Sequence, residues 1–169
     1  MYSLFYALNN QHGEEFAPVR CNGQTVSRLV RYFEDVVTEN KLSPLVIQGR
    51  CLSGEAILES ERTARLAAAS RHLYLYGCDA TCPDRTWTAS ARPNLTILEE
   101  SAYHTLETGP FILVMDPRFC ALLASYAVNA GETSLKPSYE MVWTFDPNLV
   151  FSAVEYLMAR ICVQRRLYT

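Results

Sequence analysis

The segment that most restricts the fold is Phe111–Met115, five consecutive apolar residues between Gly109-Pro110 and Asp116. A strand that is apolar on both faces has to be covered on both sides, which is typical of a sheet between layers of helices. Other short apolar runs, each bounded by turn residues, have the same strand character. These further predicted strands are Leu45–Gln48, His72–Tyr76, Leu95–Leu98 and Tyr139–Phe145.

Helical patterns alternate with these strands. Apolar residues recur every three or four positions after Thr25, whose side chain is expected to cap a helix over residues 26–40. The segment 55–70 is rich in Ala, Leu, Glu and Arg, which favour helices. Two further helices are predicted, over 119–126 after Asp116-Pro117 and from Pro147 to about Gln164.

Strands that alternate with helices predict an α/β fold. We expect a central, mostly parallel or mixed sheet flanked by helices, in a single compact domain over residues 1–169. The segment Ser3–Leu8 fits either a strand or a short helix. The segment 78–93 contains turn residues without a sustained period and is expected to be a loop.

Composition excludes several classes of partner. The net charge is −3 and both signs are interspersed, whereas a nucleic-acid surface usually needs a basic face. No apolar stretch approaches the roughly 20 residues that span a bilayer. The first ten residues contain no basic region of the kind that begins a signal peptide. We therefore predict a cytoplasmic protein, with six free cysteines and neither a nucleic-acid nor a membrane partner.

Two Asp-Pro pairs, Asp116-Pro117 and Asp146-Pro147, follow predicted strands. Asp accepts hydrogen bonds from free backbone N–H groups at a helix start, and Pro is pre-organised for the first helical position, so capping explains both pairs. A capping carboxylate can also line a ligand crevice, because parallel sheets bind ligands beyond the carboxyl ends of their strands. If the strands are parallel, one rim brings together Arg50, Cys51, Cys78, Asp79, Asp116, Arg118 and Asp146.

Motifs for catalysis and cofactor binding are weak. The chain contains neither GxGxxG nor a phosphate-binding GxxxxGK[ST] loop, and its three histidines have no metal-ligand spacing. We therefore expect no cofactor, no metal and no enzyme activity. Cys78 and Cys82 are either ordinary loop thiols or a redox or metal-binding pair. Trp87, in the same loop, either folds onto the core or is exposed to a partner.

Alternation places Met141, Trp143 and Phe145 on one face of the last predicted strand. Such a stripe packs in the core, or it lines an apolar pocket for a planar ligand. The sequence is compatible with both core packing and an apolar pocket.

The stretch WTFDP, followed by Leu149-Val150 and an apolar helix, resembles the closing motif of the DICT sensory domain family. The segments Tyr74–Gly77 and Phe111–Leu123 are similar to that family's central strand and to its strand–loop–helix unit. The resemblance extends over residues 25–157. Its signature residues are Trp143, Thr144, Phe145, Asp146 and Pro147.

The resemblance implies a sensory or interaction module of bacterial signalling, found with diguanylate cyclases and two-component systems and linked to light responses. It supplies no catalytic residues. Since the 169 residues contain no output domain, we expect binding to a separate signalling protein, to an unidentified small ligand, or to both. The functional prediction is thus a non-catalytic signal-transduction sensor or regulatory module. The alternatives are a protein-interaction adaptor without a ligand and a small α/β enzyme.

Overall fold

A seven-stranded sheet forms the centre of the molecule, and helices cover both of its faces. The computed structural model describes residues 4–49, 56–76, 93–98, 109–128 and 138–167. The strands are β1 Val19–Asn22, β2 Leu45–Gly49, β3 His72–Tyr76, β4 Leu95–Leu98, β5 Phe111–Asp116, β6 Phe119–Ala127 and β7 Ser138–Thr144. The helices of the described part are α1 Leu4–His12, α2 Gly23–Glu39, α3 Ala56–Ala69 and α4 Pro147–Leu167.

The sheet is mixed, with strand order β1-β7-β6-β5-β2-β3-β4. Strands β2, β3 and β4 are parallel, and β2 reaches β3 through the crossover helix α3. Strand β5 is antiparallel to β2, and β5, β6, β7 and β1 continue as an antiparallel series. The predicted α/β fold with a helix-flanked mixed sheet is therefore confirmed, and most of its strand pairs are antiparallel.

Burial on both faces of β5 explains its continuous apolar sequence. Phe111 and Leu113 pack in the layer of α1 and α4, whereas Ile112 and Val114 pack in the layer of α2 and α3. All four side chains are almost completely buried. One strand thus contributes to both cores, which are separated by the sheet.

Helix α2 supplies one of these layers through its predicted apolar stripe. Its N-cap is Asn22, three residues before the predicted cap, and the Asn22 Oδ1 atom accepts a hydrogen bond from the Thr25 N–H at 2.9 Å. The stripe packs onto β5, β6 and β7. Of its five predicted residues, Leu29 is partly buried and the other four are buried: Val26, Val30, Phe33 and Val37.

Helix α4 starts as the Asp-Pro pair predicts. The Asp146 Oδ1 atom accepts a hydrogen bond from the Asn148 N–H at 2.8 Å, and its carbonyl accepts one from the Val150 N–H at 3.0 Å. Pro147 occupies the first helical position, where no N–H is needed. The capping role of Asp146 is confirmed.

Among the described residues, no helix combines the length and apolarity that a membrane span requires.

The helix predicted after Asp116-Pro117 is wrong, because Phe119–Ala127 forms strand β6. Asp116 pairs with Phe119, so Pro117 and Arg118 form the two-residue turn of a β5–β6 hairpin. Leu122 and Leu123 both face cores, on opposite sides of the sheet. A strand with two buried faces has no alternation, and its continuous apolar sequence is indistinguishable from that of a buried helix.

Candidate functional site

The predicted rim of strand ends is divided between two ends of the sheet. Because β5 is antiparallel to β2, Gly49 pairs with Phe111 and Leu45 pairs with Met115. Strands β2 and β3 therefore finish where β5 begins. We call the other end of the sheet, which carries the β5–β6 turn, the hairpin end.

Asp116 and Asp146 both lie at the hairpin end. Strand β7 is antiparallel to β6, and its last residue, Thr144, pairs with Leu122 near the start of β6. The single rim required parallel strands, and it is wrong for this reason. The redox and docking hypotheses stay predictions, because their residues lie outside the described ranges. Six predicted rim or site residues lie there: Arg50, Cys51, Cys78, Asp79, Cys82 and Trp87.

Asp116 is a buried carboxylate with its hydrogen bonds made inside the protein. It accepts from the Arg118 N–H at 2.9 Å and from the Ser43 N–H at 3.1 Å. The Arg118 guanidinium is 3.4 Å away and also donates to the Lys41 carbonyl. The Arg118 N–H bond, together with the Ser43 N–H and the guanidinium charge, outweighs burial and lowers the Asp116 pKa. Asp116 therefore fixes the hairpin turn against the α2–β2 connection.

Asp116→Asn should lower the free energy of unfolding by about 1–2 kcal/mol at neutral pH, because these bonds are made to a charged group. A carboxylate with a depressed folded-state pKa stabilises the fold above its unfolded pKa of about 3.9, and this contribution is lost as the pH falls through the lower folded value. The difference between variant and wild type should shrink from pH 7 to pH 3 in urea unfolding. A difference that stays constant with pH would contradict this origin.

Aromatic residues cluster near the hairpin end of the sheet. The Phe145 ring lies 5.7 Å from Phe33 and 6.1 Å from Phe119, and the Phe33 and Tyr32 rings are 6.0 Å apart, centroid to centroid. Trp143 is on the same face of β7 as Met141, and Phe145 follows two residues later, just after the end of the strand. Tyr32, Trp143 and Phe145 are 58%, 43% and 52% exposed. We call these three residues, with Phe33 and Phe119 beneath them, the aromatic surface.

Part of this surface follows from the sequence. Alternation placed Met141, Trp143 and Phe145 together, but only Met141 is buried, so core packing describes one of the three. Tyr32 was not predicted. The sequence feature that could have indicated its exposure is its position: Tyr32 is next to Phe33 but lies off the apolar stripe of an amphipathic helix.

A second cluster, which we call the Glu34 network, lies between α2, α3 and the sheet. The Gln48 amide donates to Glu34 Oε1 at 2.7 Å, and Arg62 Nε donates to Glu34 Oε2 at 2.9 Å. Arg62 Nη2 also donates to Asp35 Oδ1 at 2.9 Å. Burial opposes the charge of Arg62, but the bonds and charges of both carboxylates prevail and raise its pKa. Beside the network, Thr38 and Arg65 complete a small notch open to solvent.

The Glu34 network is arranged for holding elements together rather than for reaction. Both carboxylates are engaged with one permanently charged guanidinium, which neither gives nor takes a proton near neutral pH. Within the described ranges, no group of three or more His, Cys, Asp or Glu side chains could hold a metal ion. The aromatic surface is therefore the stronger candidate for an external contact.

Comparison with known proteins gives little guidance. No family model matches the chain, so the resemblance to the DICT family stays a prediction. No curated protein matches it either. The chain is similar to a solved structure, the crystal structure of polyphosphate kinase from Porphyromonas gingivalis, with a TM-score of 0.48 and 15% identity. The match covers 77% of this chain and 23% of the kinase chain.

This comparison contradicts the functional prediction made from the sequence. The structural neighbour is named as a kinase and not as a non-catalytic signalling sensor, so the sensor prediction is withdrawn, whereas binding to a separate protein is not tested by this comparison. A likeness of this extent carries no activity, substrate or partner over to this chain. The chain's own exposed residues therefore provide the evidence on its function.

Proposed function

We propose that the chain binds a separate partner protein through the aromatic surface. The observation that supports this is the clustering of Tyr32, Trp143 and Phe145, each roughly half exposed, on neighbouring elements of one face. Scattered exposed apolar residues are ordinary on a protein surface, but a contiguous apolar patch marks an interaction site. Tyr, Trp and Phe are also enriched at the energetic centres of protein interfaces.

Apart from Phe145, which lies between β7 and α4, the surface is built on regular elements, and this lowers the cost of binding. Tyr32 is in the middle of α2, and Trp143 belongs to strand β7, which pairs on both sides. Beneath them, Phe33 is buried and its ring lies 6.3 Å from that of Phe119. Aromatic side chains held in this way lose little conformational freedom when a partner covers them.

The cytoplasmic location expected from the sequence stays a prediction.

Site-specific photocrosslinking tests this proposal. p-Benzoylphenylalanine would replace Trp143 or Phe145 in the cells that express the chain. The matched control is Phe151, which is 53% exposed on α4, in the opposite helix layer. We expect one protein to crosslink at both positions of the aromatic surface and not at position 151. Equal crosslinking at all three positions, or adducts to small molecules alone, would overturn the proposal.

The crosslinked protein would then be purified and its affinity measured. Trp143→Ser and Phe145→Ser should each weaken binding by about tenfold or more, since truncating a central aromatic contact costs about 2 kcal/mol and about 1.4 kcal/mol is tenfold. Phe151→Ser should bind like the wild type, and far-UV circular dichroism would verify that all three variants are folded. Unchanged affinity of the two surface variants would show that the contact lies elsewhere.

A further inference from the structure

We infer that Arg62, which is not part of the aromatic surface, is a positioning residue for it. This inference rests on the proposed partner binding. Arg62 belongs to α3, whereas the surface is formed by α2, β6 and β7. The link between them is one turn of α2.

Arg62 contacts three residues of that turn. Its guanidinium donates to the Arg31 carbonyl at 3.2 Å, to Glu34 at 2.9 Å and to Asp35 at 2.9 Å. Tyr32 and Phe33 lie between these residues, in the same turn. A single planar side chain thus holds the segment 31–35 from the α3 side.

Gln48 holds the same turn from the sheet. It is completely buried, and its amide donates to Glu34 at 2.7 Å. Its Oε1 atom finds no donor in the part of the chain that the structure describes. A buried carbonyl without a donor is unfavourable, so an apolar residue would serve packing better at this position. What Gln48 contributes at this position, and an apolar residue could not, is the hydrogen bond to Glu34.

Together with the buried apolar stripe, these two polar anchors therefore set the rotation of α2 about its axis. That rotation determines where Tyr32 points and keeps Phe33 against Phe145 and Phe119. Without Arg62, the segment 31–35 loses these hydrogen bonds to α3 and can rotate or separate from β7. The aromatic surface would then lose the arrangement that a partner recognises.

The test compares Arg62→Gln with Arg65→Gln. Arg65 is an exposed arginine of the same helix that lines the same notch and makes no ion pair among the described residues. In hydrogen–deuterium exchange, Arg62→Gln should speed exchange of the amides of 31–35, and Arg65→Gln should not. Affinity for the purified crosslinked partner should fall about threefold to tenfold in Arg62→Gln alone. Arg62→Lys keeps the charge but not the forked geometry of the guanidinium. Its affinity for the partner should lie between the affinities of Arg62→Gln and Arg65→Gln.

Affinity of the folded protein separates positioning from a merely structural role. If Trp143→Ser and Phe145→Ser weaken binding but Arg62→Gln does not, the inference is wrong and the proposed function stands. Faster exchange without a loss of affinity would also overturn it. If the two surface variants bind normally, or if no partner crosslinks, the proposed function fails and the role of Arg62 fails with it.

Discussion

Gly49→Ala should lower the free energy of unfolding by about 2–3 kcal/mol, because the methyl group has no room beside Phe111. Gly49 and Phe111 are partners across β2 and β5. A Cβ atom at position 49 would overlap Cε1 of the Phe111 ring and lie 2.5 Å from Cδ1. The ring is buried in the core beneath α1 and α4, so it cannot move aside without displacing its neighbours.

Gly23→Ala is the matched control. A Cβ atom there would lie 3.1 Å from Cε2 of the partly buried Tyr139, a contact that a shift of a few tenths of an ångström relieves. Gly23 is also the first residue of α2, where Ala favours the helix. We expect a change within about 0.5 kcal/mol in urea unfolding followed by far-UV circular dichroism.

A double variant tests the assigned cause of the Gly49 effect. Phe111→Leu removes the ring atoms that the new methyl group would overlap, at its own cost in packing. Gly49→Ala combined with Phe111→Leu should therefore be less destabilised than the sum of the two single variants. Strictly additive losses would show that the overlap with the ring is not the source.

Local pattern found most strands but could not distinguish the roles of the two Asp-Pro pairs. Asp146 caps α4 with bonds to residues two and four positions ahead, so neighbouring sequence is enough to predict it. Asp116 instead stabilises a hairpin turn, and one of its donors, the Ser43 N–H, is 73 residues away. Asp and Pro favour both turns and helix starts. Only the tertiary partner decides between them.

Strand direction is equally non-local, and the predicted rim failed for that reason. The sequence shows where a strand lies but not which strand it pairs with. Strand β1 was missed because it is an edge strand with mostly exposed side chains, held by pairing with β7 rather than by an apolar face. Likewise, Trp143 and Phe145 could be placed on one face of β7, but their exposure depends on how much of β7 is covered by α2.

The second large effect on stability is expected in the Glu34 network. Removing the Arg62 guanidinium should lower the free energy of unfolding more than neutralising Glu34 does. Arg62→Leu should lower the free energy of unfolding by about 2–3 kcal/mol. The Glu34 side chain, only 5% exposed, would keep its charge with the Gln48 amide as its remaining donor in the network. Removing one member of a fully buried pair costs about 3–5 kcal/mol, and the smaller value reflects the 28% exposure of Arg62.

Glu34→Gln should cost less, about 1 kcal/mol, because Arg62 keeps Asp35 and the Arg31 carbonyl as acceptors and is partly hydrated. The double variant Glu34→Gln/Arg62→Leu should cost less than the sum of the two, since the interaction between Glu34 and Arg62 is then lost only once. Arg65→Leu, the control in the same helix, should stay within about 0.5 kcal/mol. Equal losses for Arg62→Leu and Arg65→Leu would mean that the turn 31–35 is held by apolar packing, since the network would then add nothing to it.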